Sequence, residues 1–173
     1  MPLRGSRPET PFGVEGGFGI YIMRWIHIDD ILELKEGEYA RAVKTVPSDT
    51  DYLEYHYPGF PIMPHSLLIE SMAQTAGILV GKSIDFKKDV ILAKIDRAEF
   101  FSITRPGDRL IIDARVEEMR EEGACMECRI VCGDRAVARS RLMFAILDAR
   151  GSEMLGAKNF VFPSGFLSRF KLQ

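Results

Sequence analysis

The sequence predicts an α+β fold in which one long, buried helix is wrapped by an antiparallel β-sheet. Two observations lead there. The stretch from about Ser66 to Lys82 is apolar nearly all round, the pattern of a helix enclosed on every side rather than laid on a surface. Segments 109–117, 124–132 and 136–147 read as three successive strands joined by short turns. Short turns connect antiparallel neighbours, because a parallel pair needs a long crossover. At 173 residues the chain has room for one domain with a substantial core.

Each element follows from local chemistry. Residues 1–23 are rich in glycine and proline and lack the compact apolar centre of a signal peptide. They are expected to form a disordered extension, with Met23 a candidate start because patterned sequence begins at Arg24. Residues 24–34 mix short apolar runs with Asp29 and Asp30 and read as a short helix or an opening strand. Tyr39 to Val46 alternates like a strand, with Ala40 and Ala42 on one face. Pro64 precedes the long helix, Ser66 is its candidate N-cap, and the region of Gly81 is its expected end. Val90 to Phe100 begins as a continuous apolar run and then alternates, which predicts a buried strand. After the turn Pro106-Gly107-Asp108, Leu110, Ile112, Ala114 and Val116 share one strand face and Asp113, Arg115 and Glu117 the other. Gly133-Asp134 joins the last two strands as a hairpin. A single enclosed helix with an antiparallel sheet curled about it is the hot-dog arrangement, expected over residues 24–147. Beyond Asp148 the pattern weakens. Residues 148–173, phenylalanine-rich from Lys158 onward, are expected to form a C-terminal arm packed on the domain or on a subunit boundary.

Composition narrows the function. The net charge of −2 offers no electrostatic basis for binding nucleic acid or an anionic membrane. The best apolar stretch, Leu67 to Val80, is too short to span a bilayer and contains Glu70 and Gln74. The three cysteines are Cys125, Cys128 and Cys132. Structural zinc generally takes four ligands, and an odd step along a strand puts Cys125 and Cys128 on opposite faces. No metal is expected. Reduced thiols and the missing secretory signal fit a cytoplasmic protein.

The chemistry concentrates in HYPGFPIMPHSLLIESMAQ, residues 56–74. His56 precedes a stiff Tyr57-Pro58-Gly59-Phe60-Pro61 turn that would fix the direction of its imidazole. Glu70 follows fourteen residues later, one turn into an oily helix whose first free N–H groups suit an oxyanion. Desolvation of such a carboxyl would favour its neutral form, making a base and acid pair with a neutral imidazole. From spacing alone two plainer readings stay open: a structural histidine in a turn, and a glutamate answering a backbone group or Gln74.

The string H-Y-P-G-F-P-I-M-P-x-x-L-x-I-E-x-M-A-Q closely resembles the signature of the FabZ-type (3R)-hydroxyacyl-acyl carrier protein dehydratases. Residues 28–34, 92–100 and 105–108 resemble further landmarks of that family, so the likeness runs from about residue 24 to 147. It implies that His56 is the catalytic histidine and Glu70 the catalytic acid. The implied reaction removes water from a β-hydroxyacyl thioester to give the trans-2-enoyl thioester. Gly59, Phe60, Ser66 and the backbone N–H of His65 are the implied substrate contacts. The implied partners are acyl carrier protein with its phosphopantetheine arm and a second copy of the chain, in a homodimer or a trimer of dimers. Histidine and glutamate would then come from different subunits, with neither metal nor organic cofactor. The chain departs from the family pattern at His65, where glycine is usual, and at Tyr57, where phenylalanine is usual. The backbone N–H survives the first change, while the added ring could narrow the pocket. Glutamate rather than aspartate at position 70 speaks against the dehydratase-isomerases. Two alternatives share the fold: an acyl thioesterase, and a non-catalytic carrier-protein-binding paralogue.

Overall fold

The computed structural model describes residues 26–48, 53, 56–154 and 164–172. The disordered extension expected for residues 1–23 lies outside them. Six strands form: β1 (Asp30–Lys35), β2 (Tyr39–Thr45), β3 (Asp89–Phe100), β4 (Arg109–Met119), β5 (Gly123–Cys132) and β6 (Arg135–Leu147). The helices are α1 (His65–Ser83), α2 (Ala149–Met154) and α3 (Ser164–Arg169). The sheet order is β1-β2-β4-β5-β6-β3, and every pairing is antiparallel. Helix α1 packs against all six strands. The wrapped helix predicted from the sequence is the architecture found.

The core is the seam between α1 and the inner sheet face. Leu68, Met72, Ile78 and Leu79 of α1 meet Leu110, Ile112, Met126 and Leu142, all fully buried. Each such side chain contributes about 1.5–3 kcal/mol by leaving water. Phe170, just past α3, lies in the same core, with Leu167 and Leu172 packed against it. The buried Ser152 hydroxyl of α2 donates to Asp89 Oδ2 at 2.8 Å.

Two local expectations are narrowed and two change. The opening segment is strand β1, and Asp29 just before it accepts from Lys44 Nζ at 2.7 Å and from the Thr45 N–H at 2.6 Å. Pro64, not Ser66, is the N-cap of α1, and no side chain caps it. Its extended backbone (φ −55°, ψ 141°) turns its carbonyl to the N–H groups of Leu67 and Leu68. The helix runs past Gly81 to Ser83 and ends where Asp85 and Phe86 take positive φ, the Phe86 N–H returning to the Gly81 carbonyl at 2.8 Å. Finally, β3 is buried only at its start. It lies at the sheet edge, pairs with β6 alone, and exposes residues 93–98.

On the outer face of β4, Asp113 is buried although the alternation placed it toward solvent. Its oxygens accept from Arg41 Nε at 2.7 Å, Arg129 Nε at 2.9 Å and the Tyr39 hydroxyl at 2.9 Å. Burial alone would raise its pKa, but these donors outweigh it and hold the carboxyl below its ordinary value. Burial and the bond to Asp113 push Tyr39 up to about 12. Cys128 faces the core while Cys125 lies half-buried on the opposite side, as the odd step predicts. Among the described residues no three metal-ligating side chains cluster, and no helix is long and apolar enough to cross a membrane.

Candidate active site

The turn after His56 has the geometry its residues dictate. Proline presets φ at the second position and glycine supplies positive φ at the third. Gly59 sits at φ +78°, and the Phe60 N–H donates to the Tyr57 carbonyl at 2.9 Å. The turn projects from the fold, with residues 56–61 exposed. The His56 ring meets the Tyr57 ring edge-on at 4.2 Å, and the Arg105 guanidinium covers Phe60 at 4.8 Å. The chain then dives inward through Ile62, Met63 and Pro64, which are buried. The Met63 N–H donates to the Thr104 carbonyl at 3.0 Å, fastening this loop to the β3–β4 connection.

His65 and Ser66 open α1 on an exposed corner, where helix geometry leaves their N–H groups without intrahelical partners. The His65 imidazole lies flat on Phe100, at the end of β3, with centroids 4.1 Å apart and planes within 4°. Its bulk, which replaces the glycine of the family pattern, is thus taken up by a ring stack.

Glu70 is half-buried rather than fully buried. Leu67, Glu70 and Gln74 form a stripe at helical spacing that is less covered than the rest of α1 from Leu68 to Gly81. Glu70 Oε1 accepts from Gln74 Nε2 at 2.8 Å, and Gln74 Oε1 accepts from the His27 N–H at 2.8 Å. A backbone N–H can only donate, so it fixes which end of the Gln74 amide faces Glu70. Oε1 is therefore the acceptor in this bond, and Oε2 takes no part in it. The Ser71 hydroxyl donates to the His27 carbonyl at 2.9 Å, a second tie between this segment and α1. Sequence reasoning missed His27. Its signal was a lone imidazole in the apolar run Trp25-Ile26-His27-Ile28.

Among the described residues, no hydrogen bond joins His56 to Glu70 within one chain. Arg97, Arg139 and Arg141, basic residues considered for carrier-protein contact, are paired on the sheet with Glu99, Glu127 and the Glu117–Asp96 couple. They read as solvated strand charges. A groove of about 360 Å³, lined by Asp113, Arg115, Glu127, Cys128, Arg129 and Arg139, is centred on this outer sheet surface, away from the His56 turn and Glu70.

The fold is matched by the dehydratase heterocomplex ApeI:P of Xenorhabdus doucetiae, with a TM-score of 0.63 over 78% of this chain and 91% of that one. At 18% identity the likeness establishes the shared hot-dog fold. In sequence, a FabA-like domain spans residues 23–141. The FabZ 3-hydroxyacyl-acyl-carrier-protein dehydratase of Caldanaerobacter subterraneus is 34% identical over 122 residues, covering 70% of this chain and 86% of its own length. Its counterpart in Lactobacillus helveticus is 32% identical over 126 residues, covering 72% and 85%. The chain belongs to the FabA-like family and, within it, to the FabZ-type dehydratases, which are lyases.

Proposed function

We propose that the protein dehydrates (3R)-hydroxyacyl groups carried on acyl carrier protein to trans-2-enoyl groups, as a cytoplasmic step of fatty-acid synthesis. The observation that carries the mechanism is the set orientation of Glu70: Gln74 occupies Oε1 and leaves Oε2 to bear and deliver a proton. His56, on its rigid turn, takes the α-proton of the thioester. The freed electron pair forms the Cα=Cβ bond as the Cβ–O bond breaks. The Glu70 proton joins the departing hydroxyl, which leaves as water. His56 ends protonated and Glu70 ionised, and a proton passing between them through solvent resets the pair. The N–H groups at the start of α1, on His65 and Ser66, suit the thioester oxygen, where charge develops. Gly59 and Phe60 line the approach. No metal or organic cofactor takes part.

The working unit in this reading is a homodimer, and in larger assemblies a trimer of dimers. The unpaired edge of β3 supports it, together with exposed Ile95, Phe100, Phe101 and Ile103 on and beside that strand. A long edge bearing apolar side chains is a template for pairing with another chain. A second copy docked there would bring its own His56 turn beside Glu70, so each pocket would draw on two subunits.

Mixed dimers test this directly. Co-expression of His56→Ala and Glu70→Gln chains at equal levels gives half mixed dimers, each with one doubly damaged and one intact pocket. About one quarter of all pockets is then whole, as two-fold symmetry requires. The expected result is recovery of about that share of enoyl formation, while each variant alone loses about a hundredfold or more, the range of acid–base catalysis. Verified mixed dimers without recovery would place both residues in one chain's pocket. Thiol release without enoyl formation by the wild type would make it a thioesterase.

A further inference from the structure

His27 is 6% exposed, yet its Nε2 has no hydrogen-bond partner. Among the described residues the only other buried side-chain polar atom in that condition is the Thr104 hydroxyl. Buried polar groups are nearly always paired, and each exception calls for a reason. Both residues are tied through their main chains to segments of the candidate site. Thr104 holds the loop that carries the chain from the His56 turn into α1, through its bond from Met63. His27 holds the stripe bearing Glu70, through Gln74 and Ser71. Of the two, the His27 imidazole is the one whose charge state couples to Glu70, so its unpartnered atom suits a polar ligand better than a packing defect does.

Resting on the dehydratase reading, we propose that His27 is a positioning residue for Glu70. Its main chain sets the Gln74 amide, and its buried imidazole provides, at Nε2, the polar contact that seats the departing water beside the acid. The charged groups acting on this imidazole are Glu70 and Lys44, the latter also paired with Asp29 at 2.7 Å. Burial lowers the pKa of His27 and the charge of Lys44 adds to this, while Glu70 opposes both. The imidazole therefore stays neutral near pH 7. A neutral imidazole offers a donor or an acceptor to water as the reaction requires.

The test compares wild type, His27→Leu and His27→Gln with a (3R)-hydroxyacyl group on carrier protein, following enoyl absorbance and thermal unfolding. The expected result for His27→Leu is a Tm equal to or above wild type, since an orphan polar atom is removed, with kcat lower by about tenfold to a hundredfold and KM little changed. His27→Gln, which restores a polar atom at similar reach, should recover most of kcat. If the leucine variant does not fold, His27→Met makes the same comparison with a more adaptable apolar chain. A folded apolar variant with wild-type kcat and pH profile overturns the proposal and leaves the dehydratase reading standing. A wild-type protein that forms no enoyl product overturns that reading and the role of His27 with it.

Discussion

Replacing Asp113 by alanine removes the carboxylate that ties β2, β4 and β5 together on the outer sheet face. Arg129 then loses its counter-ion, Arg41 keeps only the exposed Glu33 at 3.3 Å, and the Tyr39 hydroxyl loses its acceptor. Breaking a buried ion pair costs about 3–5 kcal/mol because the surviving charge is stranded. Here the arginines are not sealed in: their side chains are 32% and 59% exposed, so both can turn to water. That relief brings the expected loss to about 2–3 kcal/mol. For a domain of this size it lowers Tm by about 4–12 °C. The measurement is thermal unfolding of wild type and Asp113→Ala between pH 7 and pH 3. The native carboxyl sits below its ordinary value, so its contribution is complete above the unfolded pKa and fades as pH falls through the folded one. The gap between the two proteins should therefore be widest at neutral pH and narrow in acid. Dehydration by the folded variant should be nearly unchanged, since Asp113 lies outside the proposed catalytic set. A shift under 2 °C at pH 7, or a gap that widens on acidification, would refute this account of the cluster.

His65→Gly should remain active, because glycine retains the backbone N–H, but it frees Phe100 from its stacked partner. A changed acyl-length profile is the expected result, and collapse of activity in a folded variant would give the imidazole its own chemical role. Burial pushes the Cys128 thiol up to about 12, so at pH 8 it should resist a disulfide reagent until unfolding, while half-buried Cys125 and Cys132 react first. Rapid native labelling of Cys128, read by peptide mass, would contradict its enclosure.

Elements whose cause is local were legible in the sequence. Strand alternation, the Pro106-Gly107 and Gly133-Asp134 turns and the oily helix each act within a few residues, and together they specify one helix wrapped by an antiparallel sheet. The spacing of His56 and Glu70 was legible for the same reason, since a rigid turn and a single helix separate them. Ser66 misled because Pro64, two residues earlier, already supplied the extended residue that begins a helix. Val90 to Phe100 looked like a buried strand because an apolar run does not reveal which strand lies at a sheet edge.

Tertiary structure decided what depends on register between distant segments. Asp113 looks like any outward strand acid until pairing sets Arg41 and Arg129 on either side of it, 72 and 16 residues away in sequence. His27 reads as a histidine in an apolar run until β1 and α1 come together and its N–H meets Gln74, 47 residues on. Local patterning sets which face of an element is apolar. Which charged or polar groups meet across those faces depends on strand order and register, set by the whole core packing at once.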